Sequence, residues 1–277
     1  MILPLGHETK IMGILNCTPD SFSGDGKIKI NKAGTVDTGA CLFFADKIIH
    51  EGADILDIGG ESTRPEASPV PLQEEIKRVI PVIDALARRT AIPISVDTSK
   101  MEVARRALDA GAVIINNIKG TRITKGFLRM VRDYQAAIVL MHMRGTPATM
   151  KAYARYKDVV KEVLEELQIS IEKCLEIGIK RNRIIIDPGI GFAKDMAHSL
   201  TLINHLNALN VLRCPILLGT SRKSFIGQIL EKEADGRLMG TAATVAAGIM
   251  RGAHILRVHD VKAMKETAKV TDVLLKA

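Results

Sequence analysis

Residues 184–189 read Ile-Ile-Ile-Asp-Pro-Gly, a short apolar run that is closed by a carboxylate and a turn. Short runs rich in Ile, Val and Leu are typical of strands that a parallel sheet buries on both faces. The pattern of an apolar run ending in a polar group recurs along the chain, which predicts eight buried strands. The runs are 11–15, 53–58, 92–96, 113–115, 136–141, 184–186, 215–218 and 253–258.

Amphipathic segments separate these runs, among them 72–89, 101–110, 156–177 and 264–276. A (β/α)8 TIM barrel has eight strands, each followed by a helix, and commonly contains about 250 residues. The predicted strands and helices match that number. A doubly wound open sheet is the alternative, but it normally uses fewer units. Because the 277 residues contain no Pro- or Ser-rich linker, we predict a single α/β barrel domain over residues 1–277.

Each predicted strand ends in a side chain that can do chemistry. For any one strand, a polar residue that merely starts a loop is the simpler explanation. In a barrel, however, all eight C-terminal strand ends surround one mouth, where substrates bind. The sequence therefore predicts one polar mouth that binds an anionic, phosphate-bearing small molecule. The groups are Asn16, Asp57, Asp97, Asn116, His142, Asp187, the triplet Ser221-Arg222-Lys223, and Arg257 with His259.

Two carboxylates and an amide suggest recognition of a ring. Asp97 and Asp187 each follow an apolar run, and Asn116 lies between them in sequence. A single such Asp can simply cap the next helix. Two carboxylates across a barrel mouth instead suit a guanidine-like heterocycle, because a carboxylate accepts two parallel hydrogen bonds from it.

Other strand ends are suited to an anion and a cation. Lys223 follows the seventh run, and loops after strands seven and eight often form the phosphate site of a barrel. Alternation along the eighth run sends Arg257 and His259 to one side, where both can hold a pyrophosphate. Asn16 either closes an Asx turn or offers an amide oxygen to Mg²⁺. His142, between two methionines, is predicted to be a buried, hydrogen-bonded residue rather than a catalytic one.

Composition argues against other classes of function. Lys and Arg number 39 against 31 Asp and Glu, a net charge of +8 that makes nucleic acid a candidate partner. The cations are spread along the chain and aromatic residues form only 3% of it, so we expect no nucleic-acid binding. The four Cys show no metal spacing and are expected to be reduced thiols. With no signal peptide and no membrane span, we expect a cytoplasmic protein.

Eight segments together resemble the dihydropteroate synthase family. They cover almost the whole chain, and ESTRP, DPGIGF and TSRKSFIG are specific in combination. The segments are ILNCTPDSFS (14–23), GADILDIGGESTRP (52–65), PISVDTS (93–99), AGAVIIN (110–116), VLMHMRGTP (139–147), IIIDPGIGF (184–192), LLGTSRKSFIG (217–227) and RVHDV (257–261).

The resemblance implies an activity and a set of site residues. The family is typically a homodimeric barrel and the target of sulfonamides. Its members condense 6-hydroxymethyl-7,8-dihydropterin diphosphate with p-aminobenzoate, releasing pyrophosphate and 7,8-dihydropteroate. Matching motifs imply that Asp97, Asp187 and Lys223 are catalytic and, with Asn116, hold the pterin. They imply diphosphate binding with Mg²⁺ by Asn16, Arg257 and His259, and p-aminobenzoate binding by Thr63, Arg64, Pro65, Phe192 and Ser224 next to Lys223.

The sequence departs from the family pattern at four places. Ser23-Gly24-Asp25-Gly26 and Glu66 fall in the first two loops, where loop closure and sulfonamide sensitivity are in question. Asn117 replaces the usual Asp, and residues 195–198 are atypical. Two alternative functions remain, a non-catalytic pterin-binding paralogue and a pterin-dependent methyltransferase domain. Intact Lys223, Arg257, His259 and Asn16 argue against the paralogue, and a methyltransferase would need neither TSRKSFIG nor a diphosphate site.

Overall fold

The computed structural model describes residues 8–18, 36–62 and 69–277. Within this part of the chain, all eight predicted strands are present and lie parallel in one sheet. Their order is β6-β5-β4-β3-β2-β1-β8-β7, and a single bridge between Ile186 and Ile216 joins the two ends. The strands are β1 (Lys10–Asn16), β2 (Ile55–Gly59), β3 (Ile94–Asp97), β4 (Ile114–Asn117), β5 (Ala137–Met141), β6 (Ile184–Asp187), β7 (Leu217–Leu218) and β8 (Ile255–Val258).

Helices follow the strands and cover the outside of the sheet. The four predicted helical segments are confirmed, with ends that differ by a few residues. The described residues depart from one helix per strand only after β7, which leads into two helices. The helices are α1 (Thr38–His50), α2 (Leu72–Ala87), α3 (Met101–Asp109), α4 (Lys125–Asp133), α5 (Val159–Ile177), α6 (Met196–Asn204), α7 (Ser224–Leu230), α8 (Leu238–Met250) and α9 (Val261–Leu274), and short 3₁₀ turns are Gly120–Arg122, Met150–Tyr153, Arg181–Arg183, Leu206–Leu212 and Ala234–Arg237.

The strands are apolar throughout because both of their faces are buried. Outward side chains pack with the helices into one large core of aliphatic residues. Inward side chains form a second, separate cluster inside the barrel. This is the arrangement expected for a barrel whose interior is packed rather than open. The inward cluster consists of Met12, Ile55, Ile114, Ala137, Val139, Ile185, Leu217 and Ile255.

Local sequence sets the ends of the helices. Asp158 precedes α5 and its carboxylate accepts from the backbone N–H groups of Val160 and Lys161, while Gly178 ends the helix in a left-handed conformation. The atypical stretch 195–198 has a similar role, because Asp195 and His198 form a capping box at the start of α6. These residues, which depart from the family pattern, therefore stabilise the N-terminus of α6.

The remaining sequence expectations concern cysteines and membranes. Cys17, Cys41, Cys174 and Cys214 are buried free thiols, as expected. None of the helices in the described ranges combines the length and apolar character that a membrane crossing requires.

Candidate active site

Strand alternation builds a polar layer on top of the apolar barrel interior. Ile55, Ile114, Ile185 and Ile255 all belong to the inward cluster. Side chains two positions apart on a strand point to the same side. The groups two residues beyond these isoleucines therefore also face the barrel interior, at the C-terminal ends of the strands. They are Asp57 on β2, Asn116 on β4, Asp187 on β6 and Arg257 on β8.

Arg257 joins two carboxylates from neighbouring strands. Its Nε donates to Oδ2 of Asp57 at 2.6 Å, and its Nη2 donates to Oδ2 of Asp97 at 2.8 Å. Nδ2 of Asn116 donates to the same Asp57 oxygen at 3.1 Å. The structure thus brings the predicted residues Asp97 and Asn116 together through Asp57 and Arg257. In this conformation Arg257 lies with the predicted pterin residues, and its role toward a diphosphate stays a prediction.

Burial changes the acidity of the carboxyl groups in this layer. Loss of solvation raises the pKa of Asp97 to about 7, although the guanidinium of Arg257 opposes this and the charge of Asp57 adds to it. Burial also raises the pKa of Asp187, whose Oδ1 accepts from the backbone N–H of Gly189 at 2.7 Å. Titratable groups shifted toward neutrality in one pocket are typical of functional sites.

Lys223 forms the opposite part of the pocket with the loop after β6. Its Nζ lies 4.0 Å from the centre of the Phe192 ring, within cation–π range. Burial lowers the pKa of Lys223 to about 8, and the negative charge of Asp187 acts in the opposite direction. The predicted residues Lys223, Phe192 and Asp187 therefore belong to one site.

The loop after β6 depends on glycine. Gly189 has a φ of +67°, and a Cβ placed on it would lie 2.0 Å from the carbonyl oxygen of His142. Gly191 has a φ of +76°, and its Cβ would lie 3.5 Å from Cδ of Lys223. Left-handed backbone at both positions explains why the motif alternates Gly with other residues. The loop is thus packed directly against β5 and Lys223.

The loops after β7 and β8 are tied together at the rim of the mouth. Oγ of Ser221 lies 3.0 Å from Nδ1 of His259 and accepts from the backbone N–H of His259 at 3.1 Å. Arg222 donates through Nε to Asp260 at 2.9 Å. His259 is therefore at the rim, as predicted, while Arg222 is paired with a carboxylate. Ser224 is exposed at the start of α7.

Asn16 lies at the end of β1, next to Gly59 of β2. A Cβ on Gly59 would lie 3.7 Å from Oδ1 of Asn16. Among the residues that the structure describes, no group of three or more His, Cys, Asp or Glu side chains could hold a metal ion. Mg²⁺ commonly takes few protein ligands and completes its shell with phosphate oxygens and water. One amide oxygen therefore suits a metal that arrives with a diphosphate.

Several predicted residues lie outside the described ranges. They are Thr63, Arg64 and Pro65 of the p-aminobenzoate set, together with Glu66 and the altered first loop at 23–26. Asn117 can be placed, and it is fully buried. Its Nδ2 donates to the carbonyl oxygen of Thr98 at 3.2 Å and its Oδ1 accepts from Lys119 N at 2.8 Å. Asn117, which stands where the family usually has Asp, therefore bonds to the backbone of the loops that follow β3 and β4.

Sequence reasoning missed two residues of the site region. Asp57 was recognised as a strand end, but its role as the partner of Arg257 and Asn116 was not predicted. Its place two residues after inward-facing Ile55 is a signal that could have identified it. Lys194 carried no such signal, because it lies in the loop after Phe192. His142 is buried and contacts Lys194 at 2.9 Å through Nδ1, which agrees with the predicted structural role.

Comparisons of the sequence and the fold with known proteins agree on one family. A family model described as pterin binding enzyme matches residues 12–259. The dihydropteroate synthase of Synechocystis is 44% identical, covering 97% of this chain and 91% of its own length. A Clostridium difficile dihydropteroate synthase structure, obtained in the presence of pteroic acid, has a TM-score of 0.90 and 40% identity over 99% of this chain and 100% of the other. The Xanthomonas albilineans dihydropteroate synthase with 4-aminobenzoic acid has a TM-score of 0.87 and 42% identity over 98% and 94%.

Proposed function

This chain belongs to the pterin-binding enzyme family, and we propose that it catalyses the dihydropteroate synthase reaction of folate biosynthesis. The substrates are 6-hydroxymethyl-7,8-dihydropterin diphosphate and p-aminobenzoate, and the products are 7,8-dihydropteroate and pyrophosphate. One observation carries the proposal. Asp97, Asn116, Asp187 and Lys223 lie at the mouth of one barrel, where the family's motifs require a pterin pocket.

The buried carboxylates would recognise the pterin by its N–H donors. A carboxylate accepts two parallel hydrogen bonds from a guanidine-like ring edge. Oδ1 of Asp187 accepts a hydrogen bond from the backbone N–H of Gly189. This bond fixes the orientation of the Asp187 carboxyl group. The ammonium of Lys223, held over Phe192, would donate to ring acceptors from the other side.

Asn16, Arg257 and His259 would bind the diphosphate at the mouth. Asn16 would supply an oxygen ligand to Mg²⁺ bound with the substrate. When bound, Mg²⁺ lowers the charge of the leaving diphosphate. For Arg257 to reach the diphosphate, its guanidinium would exchange part of its contact with Asp57 or Asp97 for phosphate oxygens. That exchange would leave a free carboxylate oxygen of Asp97 for the pterin.

We assign the reaction a dissociative order of steps. The bond from the pterin methylene carbon to the diphosphate oxygen breaks first, with its electron pair leaving on the diphosphate. The cation left on the methylene delocalises into the conjugated ring, and Asp97 and Asp187 stabilise it electrostatically. The p-aminobenzoate nitrogen then forms the new bond to the methylene carbon and loses one proton to solvent. No covalent enzyme intermediate forms.

The p-aminobenzoate site would lie on the outer side of the pterin. Phe192 lies beside Lys223 of the proposed pterin pocket. Ser224, the residue after Lys223, is exposed at the start of α7. Thr63, Arg64 and Pro65 are proposed for the same site from their motif alone. Sulfonamide sensitivity, a homodimer and a cytoplasmic location stay predictions. Exposed Ile229 on α7 and Met239 and Met250 on α8 are apolar side chains that a dimer could cover.

The non-catalytic paralogue and the methyltransferase remain the competing functions. A paralogue would bind the pterin without turnover. A methyltransferase domain would need neither Lys223 over Phe192 nor His259 beside Ser221 at the rim. The presence of both arrangements in the same mouth favours chemistry on a diphosphate ester.

Turnover by the purified protein tests the proposed function. Incubated with the pterin diphosphate, p-aminobenzoate and Mg²⁺, the protein should release pyrophosphate and dihydropteroate in equal amounts. Chelation of Mg²⁺ should lower the rate, because the leaving diphosphate then keeps its full charge. Pterin binding without product would identify a non-catalytic paralogue instead.

The acidity of Asp97 and Lys223 predicts the pH dependence of kcat/KM for the pterin diphosphate. Asp97 accepts hydrogen bonds from the ring only when ionised, so kcat/KM should rise as the pH increases through about 7. Lys223 is charged only below its pKa, so kcat/KM should fall as the pH passes about 8. Asp97→Asn should weaken the acidic limb of the residual activity and leave the part that Asp187 contributes. A flat wild-type profile from roughly pH 6 to 9 would contradict these assignments.

A further inference from the structure

Lys194 is a buried cation that pterin binding does not use. It lies between β6 and α6, two residues after Phe192, and only 8% of its surface is exposed. Burial lowers the pKa of Lys194 to about 7, while the charges of Asp187 and Glu166 act in the opposite direction and those of Arg144 and Lys223 add to the decrease. Burying an amine is unfavourable unless its hydrogen bonds are made inside the protein. Its contacts therefore indicate what the lysine does.

The amine of Lys194 joins two loops at the barrel mouth. Its Nζ donates to the carbonyl oxygen of Phe192 at 2.9 Å and to that of His142 at 3.4 Å. It also lies 2.9 Å from Nδ1 of His142, which can accept from the ammonium. Since His142 follows β5 directly and Phe192 follows β6, one amine fixes these two loops to each other.

His142 in turn lies against a helix on the outside of the barrel. Its Nε2 lies 3.1 Å from Oε2 of Glu166 on α5. Arg144 donates through Nε to Oε1 of the same glutamate at 2.8 Å. Burial and the charge of Lys194 lower the pKa of His142 to about 4, so its ring is neutral and can accept from the lysine. The chain of contacts from Lys194 thus ends on a long, well-packed helix.

The loop that Lys194 holds supports two residues of the pterin pocket. The ring of Phe192 lies under Nζ of Lys223 at 4.0 Å. The backbone N–H of Gly189 fixes Oδ1 of Asp187 at 2.7 Å. A shift of this loop would therefore displace Lys223 and reorient the carboxyl group of Asp187.

We propose that Lys194 is a positioning residue for catalysis, which holds residues 188–193 through the carbonyl of Phe192 so that Lys223 and Asp187 face the pterin. The proposal rests on the proposed dihydropteroate synthase activity. Lys194 acts through Phe192 and not on the substrate.

A double-mutant cycle in the full-length protein tests this role. Lys194→Met, Phe192→Ala and their combination are compared by kcat/KM for the pterin diphosphate and by Tm. Lys194→Met should lower kcat/KM by about tenfold, the range expected for loss of a charged hydrogen bond. The double variant should match Phe192→Ala within about threefold, because Phe192→Ala already removes the ring through which the loop held by Lys194 positions Lys223. Lys180→Met, an exposed lysine before β6, should leave kcat/KM unchanged.

Two results would overturn the proposal. One is wild-type kcat/KM in Lys194→Met. The other is a double variant whose loss equals the product of the two single losses, since the lysine would then act independently of Phe192. If Lys194→Met does not fold, Lys194→Gln takes its place. It keeps an N–H donor for the Phe192 carbonyl, so its kcat/KM should stay within about threefold of wild type, and a loss of about tenfold in the folded variant would overturn the proposal. Absence of turnover by the unmodified protein would instead contradict the proposed function.

Discussion

Replacing Arg257 by Met should destabilise the fold by roughly 3–5 kcal/mol at neutral pH, the loss expected when one partner of a buried ion pair is removed. The change leaves the carboxylates of Asp57 and Asp97 inside the barrel without their shared guanidinium. Methionine keeps most of the aliphatic stem, so loss of packing is small. Urea unfolding at pH 7, followed by far-UV circular dichroism, measures the difference.

The pH dependence of this deficit distinguishes lost charge pairing from lost packing. Unpaired carboxylates are costly only when ionised, so the deficit relative to wild type should be largest above pH 7 and should shrink as the pH falls toward and below about 7, the pKa of Asp97 beside Arg257. Arg88→Met, which breaks an exposed pair with Asp84 on α2, should give no comparable loss. A deficit of less than about 1 kcal/mol at pH 7 would mean that Arg257 does not hold the two carboxylates.

Replacing Asp187 by Asn should lower kcat/KM for the pterin diphosphate by about 100-fold or more, with little loss of stability. The Asn side chain can still accept from the N–H of Gly189, so the turn after β6 is kept. It cannot accept two parallel hydrogen bonds from the ring, and its amide would oppose the ring N–H groups. Steady-state kinetics and a direct pterin titration measure the effect.

Stability provides the control for Asp187→Asn. Burial raises the pKa of Asp187, so its ionised form is disfavoured in the fold, and the neutral amide should leave Tm at neutral pH unchanged or higher. Asp133→Asn, at an exposed position on α4, should change neither property. If Asp187→Asn retains wild-type kcat/KM, Asp187 does not recognise the pterin.

The barrel could be predicted from the sequence because its strands are short, apolar and regularly followed by polar groups. The position of Asp187 and Asn116 at the ends of predicted barrel strands also predicted that both lie at one mouth. The sequence does not predict the second helix after β7, because α7 and α8 are separated only by a short turn at residues 234–237. Helix number per connection depends on packing against neighbours, which a single sequence does not display.

The pairing of Asp57 with Arg257 lay beyond the sequence for a different reason. These residues are 200 positions apart, and their contact exists only once β2 and β8 have paired with the two edges of β1. The contact of Lys194 could not be predicted either, because its partner His142 lies 52 positions away at the end of another strand. Motifs identify which residues surround the mouth, but the pairing among them depends on which strands become neighbours in the sheet.

The most direct measurement of the central claim is a crystal structure of this protein with a non-hydrolysable analogue of the pterin diphosphate and Mg²⁺. The ring is expected inside the barrel mouth, with the carboxylate of Asp187 and the amide of Asn116 within hydrogen-bonding distance of its nitrogens and the diphosphate beside Asn16 and His259. A groove of about 400 Å³ between α1 and α9, which shares His259 with the rim of the mouth and is also lined by Phe44 and Lys262, is the competing location. An analogue bound there, with the strand-end carboxylates uncontacted, would contradict the assignment of the active site.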